Sequence, residues 1–303
     1  MTWITRSNAN EPELCAPRPS SDRDIVVMLT HPAPLALAFV AAMAIAVAAW
    51  QLRSLTAGGA AAATLVGGTA LSASWGCGFF LIGWFVLSSA VSRLGRRRKE
   101  ARVLEVVQKG GRRDAFQVLA NGGVFLVCVT ALLPFLHVTT PGSTVAMYCA
   151  VAAAGSLAAA GADTWATEIG TWLGGNPLSI RSAGSVPAGT SGAVTVAGTL
   201  AMIGAAVAFA LLAAALHVIP SDARSVIAVA AGGIAGATAD TVIGAWLQER
   251  RLCTRCGMFT EQISHLCGGQ TTYYSGVSGL NNDLVNAACA STGAAGALLL
   301  VLV

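Results

Sequence analysis

The stretch Ala154-Gly-Ser-Leu-Ala-Ala-Ala-Gly-Ala-Asp-Thr164 recurs later in the chain as Ala231-Gly-Gly-Ile-Ala-Gly-Ala-Thr-Ala-Asp-Thr241. Each copy is an apolar run rich in glycine and alanine, and each ends in Asp-Thr. A carboxylate within hydrocarbon is energetically costly, so an aspartate in such a run indicates a functional site. The matched positions of Asp163 and Asp240 therefore predict a paired site inside a membrane.

The composition places the whole chain in the membrane class. Hydrophobic residues make up 55% of the sequence and charged residues only 11%. Because a helix needs about 20 apolar residues to cross the hydrocarbon, the apolar runs predict an all-α polytopic integral membrane helix bundle of about seven or eight transmembrane helices. The second run is the weakest, since its glycines lower helix propensity. The predicted spans lie near residues 32–52, 55–74, 75–92, 115–137, 143–162, 191–216, 225–245 and 284–303.

The chain divides into a polar tail and one membrane domain. Residues 1–31 are polar and contain several prolines, so they are predicted to be a disordered tail. Residues 32–303 are predicted to form a single transmembrane domain with cytoplasmic loops at 93–114, 168–190 and 246–282.

The basic residues set the predicted orientation. Nine of the 18 lysine and arginine residues lie between Arg93 and Arg113, which makes this loop cytoplasmic by the positive-inside rule. The two Asp-Thr helices then run in the same direction, giving a parallel internal repeat of a kind known in transporters. The Arg96–Lys99 cluster also fits a simple topogenic signal that attracts anionic lipid. The polar residues predicted to converge on the cytoplasmic side are Asp114, Asp163, Glu168, Arg181, Asp240, Arg250, Arg251 and Asp283.

A polar stripe enters the helix that follows the basic loop. Arg112 and Arg113 precede Asp114, and Gln117 and Asn121 fall on the same helical face as Asp114. This stripe fits either a hydrogen-bond seam between helices or a polar wall that faces a substrate.

The segment after the first repeat combines carboxylates with a glycine-rich loop. Asp163 and Glu168 are oxygen ligands of the kind that Mg²⁺ takes together with substrate phosphate. The loop 174–192 offers backbone N–H groups, hydroxyls and Arg181, which suit a phosphate, although a flexible connector has the same composition.

The segment after the second repeat carries a cysteine motif. Cys253-Thr-Arg-Cys256 is followed by His265-Leu-Cys267, a set of soft ligands typical of a structural zinc site. Unliganded thiols and a catalytic or redox thiol are the alternatives, while the reducing cytoplasm disfavours disulfides.

A final polar group begins the last helix. Asn282, Asp283 and Asn286 cluster within one turn. A helix N-cap explains Asn281 or Asn282, but it does not explain Asn286, which lies inside the helix.

These motifs, in this order, resemble a membrane family that includes transmembrane protein 19 and the plant phytyl-phosphate kinase, over residues 50–303. In that family, characterised plant members transfer a phosphoryl group from CTP to a prenyl monophosphate and so produce the diphosphate. The motifs that carry the resemblance are Arg-Asp-Ala-Phe-Gln-Val-Leu-Ala-Asn-Gly (113–122), Ala-Asp-Thr-Trp-Ala-Thr-Glu-Ile-Gly (162–170), Val-Pro-Ala-Gly-Thr-Ser-Gly (186–192), Ala-Asp-Thr-Val-Ile-Gly-Ala-Trp-Leu-Gln (239–248), the cysteine motif and Asn-Asp-Leu-Val-Asn (282–286).

The resemblance implies a Mg²⁺-dependent prenyl-phosphate kinase, with CTP or another nucleoside triphosphate, a prenyl monophosphate and membrane lipids as partners. No nucleic-acid signature occurs, and the plasma (inner) membrane is the simplest location. The expected catalytic residues are Asp163, Glu168, Asp240 and Asp283, of which Asp163, Asp240 and Asp283 are the expected magnesium ligands. The expected substrate-binding residues are Arg112, Arg113, Asp114, Gln117, Asn121, Thr164, Arg181, Thr241, Gln248, Asn282 and Asn286. The expected zinc ligands are Cys253, Cys256, His265 and Cys267.

The rival interpretation is a transporter or scramblase that uses the carboxylates to bind a proton or a cation. Depth in the membrane separates the two classes, because transporter sites lie near the bilayer midplane. The predicted carboxylates lie towards one side, which favours an enzyme.

Overall fold

The computed structural model describes residues 31–96, 98–99, 112–138 and 144–303. Residues 1–30 of the predicted tail and most of the basic loop lie outside this part of the chain. The described helices are α1 (Leu35–Gln51), α2 (Ala57–Ala73), α3 (Trp75–Arg93), α4 (Ala115–Val138), α5 (Thr144–Leu173), α6 (Val196–Ala215), α7 (Ala223–Trp246) and α8 (Asn282–Leu302).

Six of these helices, α3 to α8, are long and apolar enough to cross a membrane. The other two, α1 and α2, have 17 residues each, which is at the lower limit of about 17 to 25 residues for a spanning helix. The prediction of a polytopic helical membrane protein is confirmed.

Five of the described helices begin directly after a capping side chain. Thr56, Ser74, Thr195, Asp222 and Asn281 each accept a hydrogen bond from the backbone N–H three residues further on, which satisfies an otherwise unpaired donor. Asn281 therefore fills the N-cap role that the sequence allowed for it or for Asn282.

Two predicted boundaries were wrong. Helix α5 continues to Leu173, so the first residues of the predicted 168–190 loop are helical. Helix α6 begins at Val196 and not near 191. The reason for the late start is a small antiparallel pairing of β1 (Leu178–Ser179) with β2 (Ala193–Val194), which holds the preceding residues extended.

Helix α5 is the centre of the bundle. Every residue from Ala150 to Ala162 is buried, and α5 packs against α3, α4, α6, α7 and α8. The small side chains of this run let the neighbouring backbones approach closely, as in other membrane bundles.

The internal repeat appears as two neighbouring helices in matched register. Ala158 faces Gly233 and Ala159 faces Gly236, so α5 and α7 run in the same direction. Helix α8 closes this contact: a Cβ atom added at Gly236 would lie 2.5 Å from the Cys289 carbonyl oxygen, and one added at Gly293 would lie 2.4 Å from the Ala159 Cβ. The glycines of this contact are required for close packing.

The segment between α7 and α8, which corresponds to the predicted 246–282 loop, contains regular secondary structure. It contains a three-stranded antiparallel sheet in the order β4-β3-β5, formed by β3 (Arg250–Cys253), β4 (Phe259–Thr260) and β5 (Thr271–Ser275). The all-α prediction did not include these short strands. The sheet lies directly after the second Asp-Thr helix and therefore next to the predicted site.

Candidate functional site

The matched aspartates meet where α5, α7 and α8 contact one another. Asp163 and Asp240 interact electrostatically, and the Cys289 thiol of α8 interacts with both. The Oδ2 atom of Asp240 is buried, and no donor in the described part of the chain hydrogen-bonds to it. Buried charges are normally paired or bound to a metal. An orphaned carboxylate oxygen beside a second carboxylate therefore fits a bound cation.

The acidic pair lies near one end of the helices. Asp240 is six residues before Trp246, where α7 ends, which corresponds to about 9 Å at 1.5 Å per residue. The opposite end of α7, at Ala223, is about 26 Å away on the same scale. The pair is thus displaced towards the side that carries the three-stranded sheet.

A third carboxylate, which the sequence analysis missed, reaches this pair from outside the helices. Glu261 follows β4 and interacts electrostatically with Asp240. Burial raises the pKa of Glu261, whereas a hydrogen bond from Ser191 and the positive charge of Arg250 oppose that shift. No periodic pattern marks Glu261 in the sequence. The fold alone brings it to the site.

Glu168, five residues beyond Asp163 on α5, lies in a separate ionic group. Its Oε2 atom is 2.5 Å from the Lys99 Nζ, which also donates to the carbonyl oxygens of Val91 and Ser92 at 3.2 and 2.7 Å. Arg113 is a second cationic neighbour: burial lowers the pKa of its guanidinium and Glu168 opposes that shift. Glu168 thus binds cationic side chains, and its predicted catalytic role remains a prediction.

An apolar cavity of about 300 Å³ lies between α1, α2, α3 and α4. Small and aliphatic side chains form most of its wall, including Gly122 and Val66. One end is polar, because arginine and amide side chains gather there. The polar residues that line the cavity are Ser54, Arg93, Arg113, Gln117 and Asn121.

The predicted polar stripe on α4 forms a local cap and lines the apolar cavity. Asp114 and Gln117 form a reciprocal cap: Asp114 Oδ1 accepts from the Gln117 N–H at 2.9 Å, and Gln117 Oε1 accepts from the Asp114 N–H at 3.2 Å. Gln117 and Asn121 also line the cavity. Asp114 therefore has a local structural role, and a role in substrate binding stays a prediction.

The other predicted binding residues are more scattered. Arg112 Nε donates to the Leu55 carbonyl oxygen at 3.0 Å. The exposed side chain of Arg181 lies between β1 and β2 and hydrogen-bonds to no carboxylate among the described residues. Gln248 is buried beside Glu261. The structure therefore brings Gln248 to the acidic site, and the predicted role of Arg181 stays a prediction.

The two threonines of the repeat behave identically. Thr164 donates its hydroxyl to the Ala160 carbonyl oxygen at 2.8 Å, and Thr241 donates to the Ala237 carbonyl oxygen at 3.1 Å. Each hydroxyl oxygen keeps its capacity to accept. In α8, Asp283 and Asn286 are half-buried and Asn282 is exposed, so their predicted roles stay predictions.

The cysteine motif closes into one cluster. The ligand atoms of Cys253, Cys256, His265 and Cys267 all lie within 4.8 Å of one another. Three thiols and an imidazole at this spacing are a donor set that suits zinc.

A second cavity, of about 280 Å³, is lined by Glu261 and by Gly257, which follows the cluster residue Cys256. The loop before β2 contributes Thr190 and Ser191, and the sheet contributes Arg250 and Phe259. The Arg250 guanidinium lies 5.5 Å from the centre of the Phe259 ring. This cavity therefore combines a cation, hydroxyl groups and a partly exposed aromatic side chain.

Residues 40–294 match the family model described as Integral membrane protein DUF92. The chain belongs to this family. The resemblance deduced from the ordered motifs is thereby confirmed, and the chain is an integral multi-pass membrane protein.

Relatives of the family occur in archaea and plants. Uncharacterized membrane protein MJ0933 of Methanocaldococcus jannaschii is 31% identical over 57% of this chain and 68% of its own length. Protein PGR of Arabidopsis thaliana is 26% identical over 83% of this chain and 91% of its own length. Protein VTE6, chloroplastic, of the same plant is 28% identical over 81% of this chain and 65% of its own length. No solved structure matches the chain.

The family match covers every component of the site. It includes α4, the two Asp-Thr helices, Glu261 and the cysteine cluster, because all of them lie within residues 40–294.

Proposed function

We propose that this protein transfers the terminal phosphoryl group of a nucleoside triphosphate, CTP by resemblance, to a prenyl monophosphate. A phosphate oxygen of the lipid forms the new bond to the terminal phosphorus. The bond between that phosphorus and its bridging oxygen breaks, and the nucleoside diphosphate leaves with the electron pair. The ionised acceptor needs no general base, so catalysis depends on positioning and charge neutralisation.

One observation carries this proposal most directly. A buried carboxylate pair with an orphaned oxygen lies beside one end of a helix bundle that also contains an apolar cavity with an arginine-lined polar end. A lipid phosphate needs both an apolar wall for its chain and cationic donors for its head group.

The apolar cavity is the proposed site for the prenyl chain. Arg113 lines its polar end and interacts electrostatically with Glu168, which lies five residues beyond Asp163 on α5. A chain in this cavity with its phosphate at Arg93 and Arg113 has its head group on the side of the acidic pair.

Asp163, Asp240 and Asp283 are the proposed ligands of Mg²⁺. The orphaned Asp240 Oδ2 fits such an ion, because Mg²⁺ takes one or two protein carboxylates and fills its remaining positions with water and phosphate oxygens. When bound, Mg²⁺ would neutralise charge on the phosphates of donor and acceptor. In the proposed site Glu261 adds negative charge next to Asp240.

The second cavity is the proposed site of the donor nucleotide. The face of Phe259 suits a base, and Arg250 together with the hydroxyls of Thr190 and Ser191 suits phosphates. Glu261 lines this cavity and also interacts with Asp240. The proposed donor and acceptor sites thus flank the acidic pair.

The depth of the acidic pair favours an enzyme over the rival transporter or scramblase. Asp240 lies about 9 Å from one end of α7 on the helical rise, whereas transporter sites lie near the midplane. The basic loop makes this end cytoplasmic by the positive-inside rule, and the plasma membrane remains the proposed location.

The direct test is phosphoryl transfer by purified protein in detergent, with Mg²⁺, radiolabelled CTP and phytyl or geranylgeranyl monophosphate. We expect a labelled prenyl diphosphate that requires all three components. If folded protein yields no such product with CTP, ATP, GTP or UTP, the proposal is wrong, and proteoliposome flux assays would then test transport.

Replacing Arg113 with glutamine tests the head-group position. We expect KM for the lipid monophosphate to rise about tenfold or more while KM for the nucleotide stays unchanged, because a charge-assisted hydrogen bond to phosphate contributes about 1.5 to 3 kcal/mol. Arg224→Gln at the other end of the bundle, where Arg224 donates to the Val301 carbonyl oxygen, is the matched control. An equal rise of both KM values in Arg113→Gln would contradict the assignment.

Filling the cavity tests the position of the chain. Gly122 lines the cavity, and a Cβ atom added there would lie 3.6 Å from its nearest neighbour, Val66, so Gly122→Leu places a side chain in the empty space. We expect activity on the longer of two prenyl monophosphates to fall at least tenfold more than on the shorter one. Gly123→Leu has the same effect on helix propensity and points away from the cavity. Equal chain-length profiles for the two variants would refute the assignment.

A further inference from the structure

We propose that Cys253, Cys256, His265 and Cys267 bind one structural Zn²⁺, and that this ion holds Glu261 against Asp240. The metal site does not depend on the proposed kinase activity, since it is inferred from the ligand atoms alone. In this proposal the zinc-bound loop positions the Glu261 carboxylate, which lies outside the helices, next to the aspartate pair within them.

The distances within the cluster match a slightly contracted zinc site. Cys253 and Cys267 Sγ atoms are 3.4 Å apart, His265 Nδ1 is 3.4 Å from Cys256 Sγ and 3.2 Å from Cys267 Sγ, and the Sγ atoms of Cys256 and Cys267 are 3.6 Å apart. A tetrahedral ion with bonds of about 2.3 Å to sulfur and about 2.0 Å to nitrogen separates its ligands by about 3.5 to 3.8 Å. Small outward movements therefore accommodate the ion.

The backbone presents the ligands on two tight turns. Cys253 ends β3, and the Gly257 N–H donates to its carbonyl oxygen at 3.0 Å in a turn where Gly257 has a φ of +69°. On the other turn the Gly268 N–H donates to the His265 carbonyl oxygen at 2.9 Å, with a Gly268 φ of +78°. These positive φ values favour glycine at both positions. The first turn presents Cys253 and Cys256, and the second presents His265 and Cys267.

The number and spacing of the donor atoms agree with this assignment. The sulfur distances are far from the length of a disulfide, which is about 2.05 Å. Three thiols with an imidazole fill all four zinc positions, so the ion has a structural role and not a catalytic one.

The chain between the two turns contains Glu261, the residue that reaches the aspartate pair. Strand β4 and Glu261 lie between Cys256 and His265, so zinc fixes both ends of this segment. The Thr271 hydroxyl donates to the carbonyl oxygens of Gln262 and Ile263 at 2.7 and 2.8 Å. Glu261 itself accepts a hydrogen bond from Ser191. The β4 pairing and backbone hydrogen bonds, such as that from the Thr271 N–H to the Ile263 carbonyl oxygen at 3.2 Å, also hold the segment. The ion would add a constraint at both ends against the entropy gained by releasing it.

Metal analysis tests the first part of the proposal. Protein purified without added metal is expected to contain about one zinc per chain by plasma mass spectrometry, with three sulfurs and one nitrogen around zinc in X-ray absorption spectra. Cys256→Ser and Cys267→Ser are expected to lose most of the zinc, whereas Cys128→Ser, in α4 far along the chain from the motif, is expected to retain it. Zinc-free wild-type protein after growth and folding in zinc-supplemented medium would overturn the assignment, as would equal loss in Cys128→Ser.

Hydrogen–deuterium exchange tests the second part. Zinc removal by a chelator is expected to raise exchange of the backbone amides in 258–264 at least tenfold, while exchange in α5 and α6 stays unchanged and zinc restores protection. Unchanged exchange in 258–264 after verified zinc loss would refute the positioning role. Neither measurement uses phosphoryl transfer, so failure of the zinc proposal and failure of the kinase proposal are distinguishable.

Discussion

Asp240→Asn is expected to lower phosphoryl transfer at least a hundredfold while the protein remains folded. The substitution replaces one carboxylate of a buried pair. The Oδ2 atom of Asp240 has no hydrogen-bond donor among the residues described. An amide keeps the shape of the side chain but is a weaker Mg²⁺ ligand than a carboxylate. Losing one electrostatic partner of a transition state typically costs a factor of about 10² to 10³ in rate.

Asp163→Asn tests the same prediction independently in the other copy of the repeat. Because Asp163 is the matched residue on α5, we expect a loss of similar size. Initial rates with labelled CTP and a prenyl monophosphate would measure both. Asp222→Asn is the matched control, since Asp222 caps the opposite end of α7 and asparagine is an equally good cap.

The thermal midpoint of unfolding distinguishes a variant that has lost activity from one that no longer folds. Removing a buried, unpaired charge is expected to leave the thermal midpoint of Asp240→Asn at or above that of the wild type, because desolvation of the carboxylate opposes folding. Both variants must therefore unfold at or above the wild-type temperature and be inactive. Wild-type rates in Asp163→Asn and Asp240→Asn together would refute the metal assignment.

Features encoded by local sequence were predictable. The apolar runs marked the helices because a membrane span requires a continuous apolar stretch, and the repeated Asp-Thr ending located Asp163 and Asp240. The cysteine spacing identified a candidate metal cluster because its four ligands come from two short segments. The cap at Asn281 likewise depends only on the residues next to it.

Features produced by distant contacts were not predictable. Glu261 reaches Asp240 only because a sheet folds back over the end of α7, and no pattern in residues 257–264 records this. Lys99 was grouped with neighbouring arginines as an orientation signal, yet it pairs with Glu168 across 69 positions of chain. The late start of α6 depends on pairing with β1, which is also a tertiary contact.

Composition does not distinguish among the residues of the 174–192 loop. Composition favoured the whole 174–192 loop as a phosphate-binding loop, but its two halves have different surroundings. Arg181 is exposed between β1 and β2, whereas Ser191 hydrogen-bonds to Glu261. Arg250, which lies in the second cavity, comes from the sheet instead. Glycine and serine content indicates a loop that can approach an anion, but it does not indicate which residue of the loop does so.

Gly236→Val is expected to destabilise the protein by about 3 kcal/mol or more and to abolish activity. A Cβ at position 236 would lie 2.5 Å from both the Ala159 Cβ and the Cys289 carbonyl oxygen. Because one of these atoms belongs to the backbone, the overlap can be relieved only by moving helices apart, which costs more than ordinary overpacking of side chains. Gly236 is one helical turn before Asp240, so this movement also separates the carboxylate pair.

Gly204→Val is the matched control for this prediction. Gly204 lies inside α6 with no atom within 4 Å of an added Cβ, so both variants carry the same cost of a β-branched residue in a helix. Thermal unfolding in detergent and size-exclusion chromatography would compare them. If Gly236→Val unfolds at the same temperature as Gly204→Val, α5, α7 and α8 do not meet as closely as described. The same contact that requires glycine at position 236 brings the two repeats close together, as the proposed cation site between Asp163 and Asp240 requires.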